Sequence, residues 1–148
     1  MKSLVWFTNN LRVADHPSLS AACENKANEI LGVYCLDPEK FKGDLPKIGP
    51  FRAKFIVESL LDLKQSLEAL NIPFAILIGN PAKRLPEYIH ENNISTLYHQ
   101  KVWHEEEVSI NKEIKAYRVG IEVKMGKIGL TGMFHTISAI TQLKGSLF

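Results

Sequence analysis

The sequence predicts an α/β fold: a doubly wound, Rossmann-like sheet of five parallel strands with helices on both faces. Three observations carry this. Short apolar runs alternate with amphipathic stretches along the whole chain. The first runs are continuously apolar rather than alternating, as in strands covered on both faces. The order β-α, repeated four times and closed by a strand, demands crossovers between parallel neighbours.

Leu4-Val5-Trp6-Phe7 is the first run and reads as a central strand. Asp15 reads as the cap of a helix that opens at His16-Pro17 and runs to about residue 25. Ile30 to Leu36 is the second buried strand, followed by a loop rich in Gly, Pro and Lys from Asp37 to Pro50. Ile56, Leu60, Leu63, Leu67 and Leu70 then recur at steps of four and three, which places them on one helical face. Lys54, Glu58, Lys64 and Glu68 fall off that stripe. Pro73 ends the helix, and Phe74 to Ile78 reads as a third buried strand. In Gly79-Asn80-Pro81, Asn80 is the cap and Pro81 the first helical residue of a helix marked by Ala82, Leu85 and Ile89. Ile94 to Tyr98 is a fourth strand, and a fourth helix spans Glu105 to about Tyr117. Ile121 to Met125 alternates, as expected of an edge strand with one solvated face. Two regions result: an α/β domain over 1–125 and an apolar tail over 126–148. The tail carries Ile128, Leu130, Phe134, Ile137, Ile140, Leu143 and Leu147 without a sustained period. Such a segment needs a surface to pack on: the domain's own flank, a second copy or a further domain.

The totals narrow the function classes. A chain of 148 residues is long enough for one substantial core. A net charge of +2, spread along the chain, is low for a protein that grips nucleic-acid phosphates unaided, so no direct DNA binding by this chain alone is expected. Cys23 and Cys35 match no metal spacing and read as reduced thiols. No apolar run approaches the roughly 20 residues of a membrane span, and the N-terminus lacks a signal peptide. The expectation is a cytoplasmic protein that makes no membrane contact.

Doubly wound sheets receive ligands at the carboxyl ends of their strands, where the strand order reverses. The loop after strand one therefore becomes a candidate, with Asn9 and Asn10 directly on it, together with the loops after the third or fourth strand. The stretch after strand four, His99 to Glu107, offers Gln100, the indole of Trp103 and the carboxylates of Glu105 and Glu106 for a planar ring with N–H groups. The same acids also suit the first turn of a helix, where negative charge is favoured, and Trp103 also reads as a packing residue. His99 and His104 lack a third ligand at metal spacing, so no metal is expected. Glycine-rich phosphate loops and nucleophile elbows are missing, and Gly79 to Lys83 is only a weak anion signal. The residues describe a binder without catalytic groups of its own.

VWFTNNLRVADHPSL, at residues 5 to 19, resembles the opening signature of DNA photolyases and cryptochromes, which reads V-W-F-R-x-D-L-R-x-x-D-N-x-A-L. VYCLDP at 33–38, with GPFRAKFIVESLLDLKQSLEAL at 49–70, is similar to the family's second block and to its cryptochrome-DASH branch. LYHQKVWHEEE at 97–107 resembles the DASH segment after strand four. The resemblance covers about residues 3 to 125 in order. It implies the N-terminal antenna half of a two-domain flavoprotein whose helical half binds FAD and DNA and repairs pyrimidine dimers with light. It further implies methenyltetrahydrofolate as a chromophore held between the halves, with Glu106 at the position of the family's pterin-contacting acid and Glu105 beside it. Gln100 and Trp103 are neighbours without a firm counterpart. FAD is not expected in this chain, since the FAD domain is missing from it, and folate binding is expected to be weak without that half of the pocket. The expected partners are an FAD-binding domain, in cis or in trans, and a second copy through the apolar tail.

Thr8 and Asn10 depart from the signature, standing where the family carries an arginine and an acid, while Arg12 and Asp15 remain. The family's link after strand five is not recognisable in 126–148. Two other readings compete with an antenna domain: an interaction module without chromophore, and a nucleotide-binding relative of the same fold that uses the turn at Gly79.

Overall fold

The computed structural model describes residues 1–24, 29–43, 47–100, 112 and 122–126, the last stretch as backbone alone. Strand β1 (Lys2–Phe7), helix α1 (Pro17–Glu24), β2 (Glu29–Leu36), α2 (Pro50–Glu68), β3 (Phe74–Ile78), α3 (Pro81–Glu91), β4 (Ile94–Gln100) and β5 (Glu122–Gly126) follow in chain order. A single 3-10 turn over Pro38–Phe41 interrupts the loop after β2. The strands lie in the order β3-β2-β1-β4-β5, with every recorded pairing parallel. The order therefore reverses beside β1, as expected for a doubly wound sheet.

Alternation along β1 divides the core. Val5 and Phe7 face α1 and α2, in a cluster with Leu19, Ala22, Leu63 and Leu67. Leu4 and Trp6 face α3, in a second cluster with Leu85, Ile89 and Leu97. Both faces are buried, which is why the run reads as continuously apolar. Gly32 faces the α1 and α2 layer. A Cβ there would come within 3.1 to 3.2 Å of Phe74, Leu67 and Phe7, so any larger residue would have to push these side chains aside by a few tenths of an ångström.

The helical stripe on α2 is real but not uniform. Leu60, Leu63 and Leu67 are buried, Ile56 is half-buried, and Leu70 is buried just past the helix end. The residues off the stripe form the i,i+4 pairs Lys54–Glu58 (3.9 Å) and Lys64–Glu68 (3.8 Å). The helix ends at Glu68, before Pro73, in a turn that places Asn71 at φ 56.

Two local expectations are corrected. Phe74–Ile78 is an edge strand with Ile76 and Ile78 exposed rather than a third buried strand, because the order reversal leaves β3 at the end of the sheet. Asp15 is not the cap of α1. It takes φ 50 and pairs with Arg12 at 3.4 Å, while His16 caps the helix by accepting the Leu19 N–H on Nδ1 at 3.2 Å. Asn80 caps α3 as expected, accepting the Ala82 N–H at 2.9 Å, with Pro81 at the first helical position. Apart from Lys112, which is helical, the expected helix over 105–117 lies outside the described residues, as do the alternation of the β5 side chains and the tail over 126–148 beyond Gly126, which ends β5.

Candidate functional site

The carboxyl ends of parallel strands share one edge of the sheet, and a cleft of about 960 Å³ opens there. Its walls come from the loop after β1 (residues 8–12), the end of β2 with the 3-10 turn, the first half of α2, and the start of α3. The volume falls in the range of cofactor sites, about 300–1,000 Å³.

The loop after β1 contributes Thr8, Asn9 and Asn10. The two asparagines thus stand where the strand-end rule puts them, with amides that both donate and accept. The Thr8 hydroxyl oxygen is buried and has no hydrogen-bond partner among the described residues. Tyr34, Phe41 and Phe55 supply aromatic surface. The phenol of Tyr34 is pushed above its ordinary pKa chiefly by burial, so it remains neutral. Burial likewise drives the Cys35 thiol up to about 12 and that of Cys23 up to about 11, which leaves neither sulfur ionised near neutrality.

Charge in the cleft is asymmetric. Its acids are already engaged: Asp37 caps the 3-10 turn by accepting the Glu39 N–H at 3.1 Å, and Glu39 pairs with Lys42 at 2.9 Å. Arg52 and Lys40 line the same cleft, and no ion pair holds either among the described residues. Arg12 is shared with Asp15, and Asn80 brings the amino end of α3 to the rim. One concavity thus gathers aromatic faces, amides and two cations without an ion-pair partner among the described residues, groups suited to a planar ring with an anionic tail.

Asn9 and Asn10 belong to this cleft. Gln100 ends β4, half-buried, and is not among the lining residues. Trp103, Glu105 and Glu106 lie outside the described residues. His99 faces the α3 layer beside Trp6, with ring centroids 5.9 Å apart. Sequence reasoning missed Tyr34, Lys40, Phe41, Arg52 and Phe55. The strand-end rule favours the loops after β1 and β4, on either side of the reversal, and the loop after β2 reaches the cleft because β2 pairs in parallel with β1 and ends at the same edge of the sheet.

The sequence matches the DNA photolyase family over residues 3–128. The chain belongs to that family. Among its relatives, the cryptochrome DASH of Gloeobacter violaceus is 32% identical over 136 residues, covering 89% of this chain and 27% of the relative. The chloroplastic/mitochondrial cryptochrome DASH of Arabidopsis thaliana is 32% identical over 139 residues, 90% of this chain and 24% of the relative. The crystal structure of a Synechocystis cryptochrome superposes with a TM-score of 0.77 at 30% identity, over 84% of this chain and 27% of that one. An archaeal photolyase from Sulfolobus tokodaii, solved with two FAD molecules, superposes at 0.75 and 22% identity, over 86% and 29% of the two chains, and shares the fold. This photolyase-family chain spans about a quarter of the length of the curated relatives it matches. Among its described residues, no helix is long and apolar enough to cross a membrane.

Proposed function

We propose that this chain is an antenna-chromophore domain of the photolyase and cryptochrome type, with the chromophore seated in the cleft at the ends of β1, β2 and β3. The chromophore, when bound, supplies the light absorption. The protein's own residues orient it and hold its charge. A helical FAD-binding domain, in cis or in trans, is the acceptor of the energy, and the chain on its own is a binder rather than a lyase.

The observation that carries the reading is the unequal commitment of charge. Among the described residues, the acids Asp37 and Glu39 are tied up locally, and no ion pair holds the cations Arg52 and Lys40. Methenyltetrahydrofolate, with its glutamate carboxylates, and flavin mononucleotide, with its phosphate, both carry the required ring and anionic tail. The Sulfolobus tokodaii photolyase, with its two FAD molecules and the implication of a novel light-harvesting cofactor, offers a parallel for such a role. Glu105 and Glu106 remain proposed contacts of the folate ring.

The test is a titration of the full chain with each chromophore, read by bound absorbance after gel filtration. The expected result is retention of at least one of them, weakened about tenfold by Arg52→Ala, equivalent to roughly 1.4 kcal/mol. Retention of neither at saturation overturns the reading.

One observation favours a second reading, an interaction module. Phe51, Phe55 and Leu61 on α2 are 91%, 67% and 59% exposed. Light scattering across a dilution series decides it. A mass that rises with concentration supports self-association, and a constant monomer mass removes it.

A further inference from the structure

The residues on either side of the ligand-facing loop touch each other. Phe7, the last residue of β1, and His16, the residue before α1, pack ring against ring with centroids 4.7 Å apart and planes tilted by 53°. Both are buried, Phe7 at 0% and His16 at 1% exposure. Between them runs the eight-residue loop from Thr8 to Asp15, whose first five residues line the cleft. Inside the loop, Arg12 pairs with Asp15 at 3.4 Å, and Asp15 adopts φ 50, a left-handed turn that returns the chain to His16.

His16 is anchored in turn by α1. Its Nδ1 accepts the Leu19 N–H at 3.2 Å and its carbonyl accepts the Ser20 N–H at 3.0 Å. The imidazole thus joins three parts: the first turn of α1, the end of β1 and the neck of the loop. Asparagine or aspartate would cap the helix as well. A buried ring does more than the cap requires.

We propose that His16 is a positioning residue for the cleft, its ring and that of Phe7 forming a clamp that closes the neck of the Thr8–Asp15 loop and holds Asn9, Asn10 and Arg12 at the ligand. This deepens the antenna reading and rests on it for the ligand, though not for the clamp.

The two duties of His16 are separable. His16→Asn keeps an oxygen for the Leu19 N–H and loses the ring. His16→Phe keeps a ring against Phe7 and loses the cap. Backbone ¹⁵N order parameters of the full chain and the affinity for flavin mononucleotide are measured for both. In His16→Asn, order at residues 9–12 is expected to fall from rigid values near 0.85 toward 0.6, with α1 unchanged, and affinity to fall about tenfold. In His16→Phe the loop stays rigid and the first turn of α1 loosens. Rigid 9–12 in His16→Asn, or equal loosening of loop and helix in both variants, overturns the clamp. If the wild-type chain binds no flavin mononucleotide while the order parameters behave as expected, the clamp stands and this ligand is removed.

Discussion

At the scale of single residues, His16 carries a consequence for acid stability. Burial lowers its pKa from 6.5 to about 4, against an opposing interaction with the residue's own backbone. The unfolded chain therefore binds a proton that the folded chain refuses. Stability is full above pH 6.5 and declines as pH falls toward 4, by about 3 kcal/mol if the whole shift is realised. Urea midpoints measured between pH 7.5 and 4 should fall in the wild type and fall less in His16→Asn. Asn80 makes a simpler case. Removing the cap it gives α3, in Asn80→Ala, should cost about 1 kcal/mol in the same assay. Both residues show what was legible at this scale. Asn80 was readable because Asn-Pro after a glycine has one common use. The cap on α1 was misassigned, since Asp15 is the better capping type by composition and only the tertiary contact with Phe7 selects His16.

Among elements, α2 is the most informative. Its C-terminal half packs on the sheet and its N-terminal half borders the cleft with Arg52, Phe55 and Ile56. The heptad-like stripe was visible in the sequence, but it could not say that the first turns run beyond the core. Leu67→Ala should cost about 2–5 kcal/mol, the range for a fully buried leucine, while Leu61→Ala, on the exposed side, should change stability by less than about 0.5 kcal/mol. Chemical denaturation of the two variants side by side checks this division of the helix. β3 teaches a related lesson. Phe74–Ile78 has the composition of a buried strand, and its edge position is a property of the strand order rather than of the run itself.

For the whole molecule, the doubly wound order brings three strand ends together to build a cleft, and residues more than forty positions apart in sequence, Asn10 and Arg52, come to line one wall system. The strand-end rule points from sequence alone to the loop that carries Asn9 and Asn10, which lines the cleft. It did not locate Arg52 or Lys40, because a cation's value as an anion receptor depends on which neighbouring acids are already paired. Thr8, Asn9 and Asn10 are uncharged and the loop's lining cation, Arg12, is shared with Asp15, so the cations without an ion-pair partner among the described residues, Lys40 and Arg52, lie on the α2 and 3-10 side of the cleft. The proposed seat of the chromophore in this cleft can be checked by mapping backbone amide shifts of the full chain during titration with flavin mononucleotide and with methenyltetrahydrofolate. Saturable shifts concentrated at residues 8–12, 34–41 and 52–59 are expected. Saturable binding that leaves those residues unmoved would contradict the proposed seat.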